Sequence, residues 1–308
     1  SDRPVIVVEP NFDETVPGEG DGIKIRMGGS LAFENLVFLP SEDFTFLDEV
    51  DDMFAIVNAG TEGNPVSLDL TFQNVLITHG WIDNTPATVD GFDDPRWSDN
   101  TFRDDAINID LNGPPDDELN LLLDNVIVSG YGTEADADAL VIDGPQIEAT
   151  ITGGTRFTYI RRRALYNYNA KSVTVEGTDD NPVLVYAAGE TMARASAGVN
   201  RWTHLWCVGI DEGEGGMITG FAARVDPNGG ASLTATNCIF STAFYDGIFM
   251  NFDAPEPISY EISNCTFYNV PELIRFGFVG EPGPSENVSV TATDSIIDNA
   301  DWVAPNDG

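Results

Sequence analysis

The sequence predicts an all-β fold, a right-handed parallel β-helix of about 8–9 coils with inserted loops. Three observations support this: short β-rich runs recur, turn residues separate them, and one short pattern of residues repeats along the chain. We expect a single domain over residues 1–308. A large loop excursion is expected at about residues 84–117, where Gly, Pro and Asp are frequent.

The repeated pattern consists of alternating residues, then Asn or Asp, then an apolar–any–apolar triplet. Its turn residues are Asn35, Asn74, Asn125, Asn237, Asn264 and Asp294. Asn tolerates the unusual backbone angles of a bend, and stacked Asn side chains can hydrogen-bond from coil to coil. The spacing is 51 residues from Asn74 to Asn125 but only 27 from Asn237 to Asn264. This variation indicates coils of constant cross-section that carry loops of different length.

The three cysteines are expected to be core residues. After each bend, strand alternation points the first and third residues of the triplet inward. Cys238 and Cys265 both occupy the first of these positions. Three cysteines are too few for a disulfide framework, and their spacing fits no zinc motif. We therefore expect small buried apolar residues here.

Charge and hydropathy exclude two classes of partner. The chain has 51 acidic and 14 basic residues, a net charge of −37. Such a field repels nucleic-acid phosphates and anionic membranes, so we expect no nucleic acid partner. The apolar runs are too short to cross a bilayer, so we expect no membrane insertion. Because the chain begins Ser-Asp-Arg-Pro, we interpret it as a mature bacterial product, secreted to the extracellular space or cell surface.

The repeat, in segments such as Ser-Asn-Cys-Thr-Phe-Tyr-Asn at 263–269, resembles the parallel β-helices of the pectate-lyase-like superfamily. In particular it resembles uncharacterised β-helix domains of secreted, carbohydrate-associated bacterial proteins. The resemblance covers nearly the whole chain, but it implies coils and not a chemistry, because the superfamily contains lyases, hydrolases, esterases, adhesins and phage fibres. The catalytic motifs of its polygalacturonase-like and pectate lyase members are not found in this sequence.

A band of arginine and aromatic residues is the most distinctive local feature. Residues 149–308 carry 19 acids and 9 bases, and seven of the twelve arginines fall between residues 156 and 224. The candidate ligand-binding residues are Arg161, Arg163, Tyr166, Tyr168, Arg201 and Trp202. Guanidinium groups bind carboxylates and aromatic faces stack on sugar rings, so the band could bind an acidic polysaccharide. Alternatively, the arginines form ion pairs with surrounding acids or with a neighbouring subunit.

Catalysis would require further groups within this band. We assign no catalytic residue, and whether the protein is an enzyme stays open, with the balance against it. If it were a polysaccharide lyase, Arg161 or Arg163 would neutralise the uronate carboxylate. Tyr166, Lys171 or His204 would then remove the C5 proton after a shift of its pKa. Acidic pairs are too numerous in this chain to indicate a hydrolase site.

Calcium is the only cofactor that the composition suggests. Oxygen-rich acidic loops offer hard ligands, and Asp136 and Asp138 are the candidate metal ligands. Neither residue belongs to a twelve-residue calcium loop with a closing Glu. The alternative is a solvated acidic surface that suits a saline medium.

Two function hypotheses follow. The first is a non-enzymatic extracellular structural or adhesive β-helix protein that self-associates end to end into cell-surface filaments, because a solenoid exposes unpaired strand edges at both ends. The alternative is a polysaccharide lyase or glycan-binding module that acts on an acidic polysaccharide through the arginine and aromatic band.

Overall fold

A computed structural model describes residues 3–8, 22–26, 28–40, 52–57, 64–78, 81–82, 85–86, 105–111, 114, 116–131, 138–160, 162–209, 219–226, 229–244, 246–250, 257–270, 272–276 and 288–298. Within them the chain forms three long parallel sheets, named sheet I, II and III, plus one antiparallel pair. The chain passes from sheet I to II to III and back to I in every coil. The predicted parallel β-helix is therefore confirmed, with about nine coils in the described part.

Each sheet takes every third strand of the solenoid. Sheet I has β3 (Gly29–Glu34), β6 (Ser67–Gln73), β11 (Glu118–Asp124), β14 (Ile147–Thr152), β17 (Ser172–Glu176), β20 (Val199–Thr203), β23 (Ser232–Thr236), β26 (Ile258–Ser263) and β29 (Val288–Thr293). Sheet II has β1 (Val5–Val8), β4 (Val37–Pro40), β7 (Leu76–Thr78), β12 (Ile127–Tyr131), β15 (Arg156–Ile160), β18 (Val183–Ala188), β21 (Leu205–Val208), β24 (Ile239–Ser241), β27 (Thr266–Tyr268) and β30 (Ile296–Asp298). Sheet III has β2 (Ile23–Ile25), β5 (Phe54–Val57), β10 (Ile107–Asp110), β13 (Leu140–Asp143), β16 (Arg163–Asn167), β19 (Thr191–Ala195), β22 (Phe221–Val225), β25 (Asp246–Met250) and β28 (Glu272–Phe276).

The first corner, between sheets I and II, has the geometry that the repeat predicts. Its turn residues adopt left-handed backbone angles, with φ of 57° at Asn35, 54° at Asn74 and 53° at Asn125. The amide Nδ2 of Asn74 donates to Oδ1 of Asn35 at 3.3 Å, and Nδ2 of Asn125 donates to Oδ1 of Asn74 at 2.7 Å. The side chains thus form a ladder in which each Asn donates to the preceding coil.

The core runs along the axis of the solenoid, enclosed by the three sheets. Alternate residues of each strand point inward, as in β6, where Leu68, Leu70 and Phe72 are buried. Rings stack between neighbouring coils, with 5.1 Å between the centroids of Phe33 and Phe72. Cys238 and Cys265 are each 1% exposed and unbridged, as expected of small core residues.

The expected excursion at residues 84–117 differs from the structure at its C-terminal end. Ile107–Asp110 forms β10, which pairs with β5 and β13 inside sheet III. Near the other end, β8 (Trp81–Ile82) and β9 (Thr85–Pro86) form a short antiparallel pair. Most residues between these elements lie outside the described part. In the described ranges no helix is long and apolar enough to span a membrane.

Candidate functional site

The structure distributes the predicted band over different faces of the solenoid. Arg163 and Tyr166 lie on β16 of sheet III, and Tyr168 follows directly. Arg201 and Trp202 lie on β20 of sheet I. Arg161 lies outside the described residues. Among the described band residues, Arg163, Tyr166 and Tyr168 therefore lie together, and Arg201 and Trp202 lie on another sheet.

A groove of about 480 Å³ lies where sheet III turns into sheet I, named here the sheet III groove. Its walls are formed by Tyr168, Asn169, Arg194, Ser196, Ala197, Arg224, Asp226 and Gly229. Three successive coils contribute to it: Tyr168 and Asn169 follow β16, Arg194 lies on β19 and Arg224 lies at the same register position on β22. Parallel strands place such residues about 4.8 Å apart along the solenoid axis.

Asp226 organises the floor of the groove. Its Oδ2 accepts hydrogen bonds from Nε and Nη2 of Arg194 at 3.0 and 2.9 Å and from Oγ of Ser196 at 2.8 Å. Its Oδ1 accepts one from Nε of Arg224 at 3.1 Å. Burial would raise the pKa of the Asp226 carboxyl, but the two guanidinium groups outweigh burial and hold the pKa below its usual value. The floor therefore holds the guanidinium groups of two neighbouring coils on one carboxylate.

One aromatic ring of the groove wall, that of Tyr168, contacts the buried ring of Tyr166. The Tyr166 ring is buried between two guanidinium groups, with Cζ of Arg163 at 3.8 Å and Cζ of Arg194 at 4.8 Å from its centroid. The Tyr168 ring meets Tyr166 edge-on at 5.6 Å and is 52% exposed. Cation–π contacts fix the arginines, while Tyr168 offers a ring to a ligand.

Below Tyr166, Arg163 pairs with Asp138 at the second corner, between sheets II and III. The Nε of Arg163 and its backbone N–H both donate to Oδ1 of Asp138 at 2.9 Å, and Nη2 pairs with Oδ2. Both residues are buried. Asp138 therefore has a guanidinium partner where the sequence suggested a calcium ligand, and Asp136 lies outside the described residues. In the described part of the chain, no group of three or more His, Cys, Asp or Glu side chains could hold a metal ion.

Asp138 is the last member of a buried column of aspartates at this corner. The Oδ1 of Asp52 accepts the backbone N–H of Asp105 at 3.1 Å, and Oδ1 of Asp105 accepts that of Asp138 at 2.7 Å. Each carboxylate thus binds the backbone of the next coil, and Arg163 ends the series. The column links the acidic N-terminal half of the chain to the arginine band.

Two of the three candidate bases, His204 and Lys171, do not line the groove. His204 adopts φ of 52° at the first corner, in the position that Asn takes in other coils, and its Nε2 is 3.0 Å from Oδ1 of Asp179. The Nζ of Lys171 is 2.5 Å from Oε1 of Glu148 in an exposed ion pair, and that carboxylate raises the pKa of Lys171.

The two band residues on sheet I have separate roles. Arg201 is exposed on the outer face of this sheet, whereas Trp202 points inward and is 1% exposed. Trp202 is thus part of the core and has no surface for a ligand.

Sequence reasoning missed Ser196, Asp226 and Asn169 as groove residues. A signal was present, since Arg194-Ala-Ser196 and Arg224-Val-Asp226 share one spacing and stand 30 residues apart, about one coil. The significance of this spacing depends on the register of the strands in sheet III. That register cannot be derived from sequence spacing, because the loops between strands vary in length.

Comparisons with protein-family models, with curated proteins and with solved structures find no match to this chain. The similarity to the pectate-lyase-like superfamily therefore stays a prediction. The architecture itself is established by the strand pairing.

Proposed function

We propose that this protein is a non-enzymatic, adhesive β-helix of the cell exterior that holds a carboxylate-bearing polysaccharide in the sheet III groove. The observation that carries the proposal is the combination of the exposed Tyr168 ring with the paired guanidinium groups of Arg194 and Arg224. Aromatic faces pack against sugar rings, and the guanidinium group of arginine donates paired hydrogen bonds to a carboxylate.

The charge distribution supports an acidic ligand at this place. The whole chain has a net charge of −37, a field that repels polyanions. The groove differs in its local composition, because the guanidinium groups of two neighbouring coils lie together on its floor. A ligand carboxylate at the groove would therefore meet guanidinium donors from both coils.

The positions of the candidate bases support binding without turnover. A lyase needs a base within hydrogen-bond reach of the substrate proton, next to the group that neutralises the uronate. Lys171 faces Glu148 instead, and His204 lies at the first corner beside Asp179. Tyr166 is buried between two guanidinium groups. These contacts favour a site that positions a chain and leaves it intact.

The proposal is tested by titrating polygalacturonate and a neutral glucan into the protein by calorimetry. We expect binding of the acidic polymer alone, weakened about tenfold in the Tyr168→Ala and Arg224→Ala variants, as for loss of one strong contact. Arg201→Ala is the matched control, since that arginine is exposed on sheet I, and its affinity should be unchanged. Equal loss in all three variants, or no binding by the native protein, would refute the proposal. Appearance of unsaturated uronate products would show a lyase instead.

Self-association is a second candidate function that one observation favours. Ile6 of β1 and Ile297 of β30 belong to one inward-facing column of sheet II, and they are 36% and 43% exposed. Their neighbours Phe38 and Phe267 in that column are 0% and 1% exposed. Pairing β30 with β1 of a second copy would cover both side chains and extend sheet II in parallel.

The strand counts restrict such a contact to sheet II. Sheet II has ten described strands and sheets I and III have nine each, so joining β30 to β1 leaves one strand position open in each of the other two sheets. Light scattering tests the idea: masses above the 33.3 kDa monomer that disappear in Ile297→Asp would support it. A monomer at all concentrations would exclude it.

A further inference from the structure

A continuous chain of contacts joins the buried aspartate column to the sheet III groove. It begins with the ion pair of Asp138 and Arg163 and continues through the Tyr166 ring, which Arg163 covers from one side at 3.8 Å. Arg194 covers the same ring at 4.8 Å and ends on Asp226, in the groove floor. Every link is a direct contact between side chains, within β16 for Arg163 and Tyr166 and between neighbouring coils for the others.

The geometry points to Asp138 as a positioning residue that makes ligand binding in the groove dependent on pH. The inference rests on the proposed function, since it concerns regulation of the same site. With its charge, Asp138 holds the Arg163 guanidinium over the Tyr166 ring, and the ring in turn contacts Arg194 at the floor. Without that charge, Arg163 is a buried cation that has lost its partner, an arrangement that proteins avoid by moving the side chain.

The groups that face Asp138 come from both neighbouring coils. From the preceding coil, Oδ1 of Asp105 accepts the backbone N–H of Asp138. From the following coil, the Arg163 guanidinium binds both carboxylate oxygens, and Arg162 adds a second positive charge while pairing with Glu190. Burial raises the pKa of the Asp138 carboxyl to about 6, and the two arginines oppose this rise without cancelling it.

Protonation of Asp138 should change the stability of the fold and the affinity for ligand in opposite directions, so the two effects can be distinguished. Because the pKa of Asp138 is raised in the folded protein, this group contributes stability at low pH that is lost as the pH rises through about 6. Ligand binding should change in the opposite direction, weakening as the pH falls from 7 to 5. Ordinary carboxyls have pKa values of about 4 and stay mostly ionised over this interval, so the carboxylates of the ligand do not cause the change.

The test measures the affinity for polygalacturonate at pH 7 and pH 5, at constant ionic strength. For the native protein we expect affinity about tenfold lower at pH 5, within the range usual for coupling between two sites. Asp138→Asn should bind weakly at both pH values, because its amide carries no charge. Asp124→Asn is the matched control, since Asp124 lies on sheet I beside Gln73 and Thr152, and it should keep the native pH dependence.

A second variant keeps the test decisive if Asp138→Asn folds poorly, which circular dichroism would reveal. Tyr166→Leu keeps the ion pair but removes the ring between the two arginines, so its binding should be weak and independent of pH. Native pH dependence in Tyr166→Leu, or in a folded Asp138→Asn, would overturn the inference while the proposed function stands.

A measurement without ligand distinguishes the two proposals. Selective ¹⁵N labelling of arginine allows the Nε signal of Arg194 to be followed by NMR from pH 7 to pH 5. We expect this signal to titrate near pH 6 in the native protein and to stay constant in Asp138→Asn. Titration of this signal without any polysaccharide binding would refute the proposed function alone. An Arg194 signal that does not titrate would refute the role of Asp138.

Discussion

Replacement of Asn125 tests how the first corner stabilises the solenoid. Asn125 has φ of 53°, and its Nδ2 donates to Asn74 at 2.7 Å. In Asn125→Ala the hydrogen bond is lost, which costs about 1 kcal/mol. The Ala Cβ in a left-handed conformation costs about 1.5 kcal/mol more. We therefore expect the free energy of unfolding to fall by about 2.5 kcal/mol.

A second variant at the same position separates the two contributions. Asn125→Gly loses the same hydrogen bond but has no Cβ, and greater freedom of the unfolded chain adds only about 0.5 kcal/mol. Its expected cost is thus about 1.5 kcal/mol, so Gly should be better than Ala here, the reverse of the order in an ordinary strand.

Urea denaturation and thermal melting followed by circular dichroism measure both variants. For a chain of this length, 2.5 kcal/mol corresponds to a decrease in Tm of about 4 °C. Asn120→Ala serves as the control, because Asn120 donates to Asp69 on the exposed face of sheet I, and we expect a loss below about 0.5 kcal/mol. If Ala were as stable as Gly at position 125, or if both equalled the control, the proposed role of the corner would be wrong.

Three further predictions concern residues in the core and at the corners. Trp202→Phe should lower the free energy of unfolding, measured in urea, by less than about 1.5 kcal/mol. The smaller ring leaves a cavity, but the variant also removes a buried indole N–H that has no acceptor, and the two effects offset each other. A loss above about 3 kcal/mol would contradict this. His204→Asn should raise Tm or leave it unchanged. Asn adopts φ of 52° more readily than His, and Nδ1 of His204 is buried without a hydrogen-bond partner. A fall in Tm of several degrees would show that the contact with Asp179 stabilises the fold. Cys207 should not react with a thiol reagent until urea unfolds the protein, because burial raises the pKa of its thiol. Reaction of Cys207 in the absence of urea would contradict its burial.

The architecture was predictable because its signal is local. The first and third residues after Asn74, Val75 and Ile77, face inward, so one short segment specifies a bend, a strand and the side of the strand that is buried. Ile107–Asp110 shows the limit of this signal. It alternates apolar and polar residues as a strand should, yet its acidic surroundings led us to place it within a loop.

The site was only partly predictable because it depends on pairs of residues from different coils. Arg194 and Asp226 are 32 residues apart and meet only when sheet III is in register. Composition indicated that arginines and aromatic rings concentrate in one region, and Arg163, Tyr166 and Tyr168 do lie together. Composition could not show that Trp202 faces the core. Arg201 and Trp202 are neighbours on a strand and so point to opposite sides of the sheet, and composition does not tell which of the two points inward.

The connections between strands differ in how much extra chain they accommodate. Two residues separate β3 from β4, β6 from β7, and β11 from β12 at the first corner, but six separate β17 from β18 there, and 12 separate β21 from β22 at the second corner. Foreign peptides should therefore be accepted between β21 and β22, whereas a residue added between β6 and β7 would displace the Asn ladder. The solenoid could in this way serve as a scaffold that displays grafted segments in a row at coil spacing.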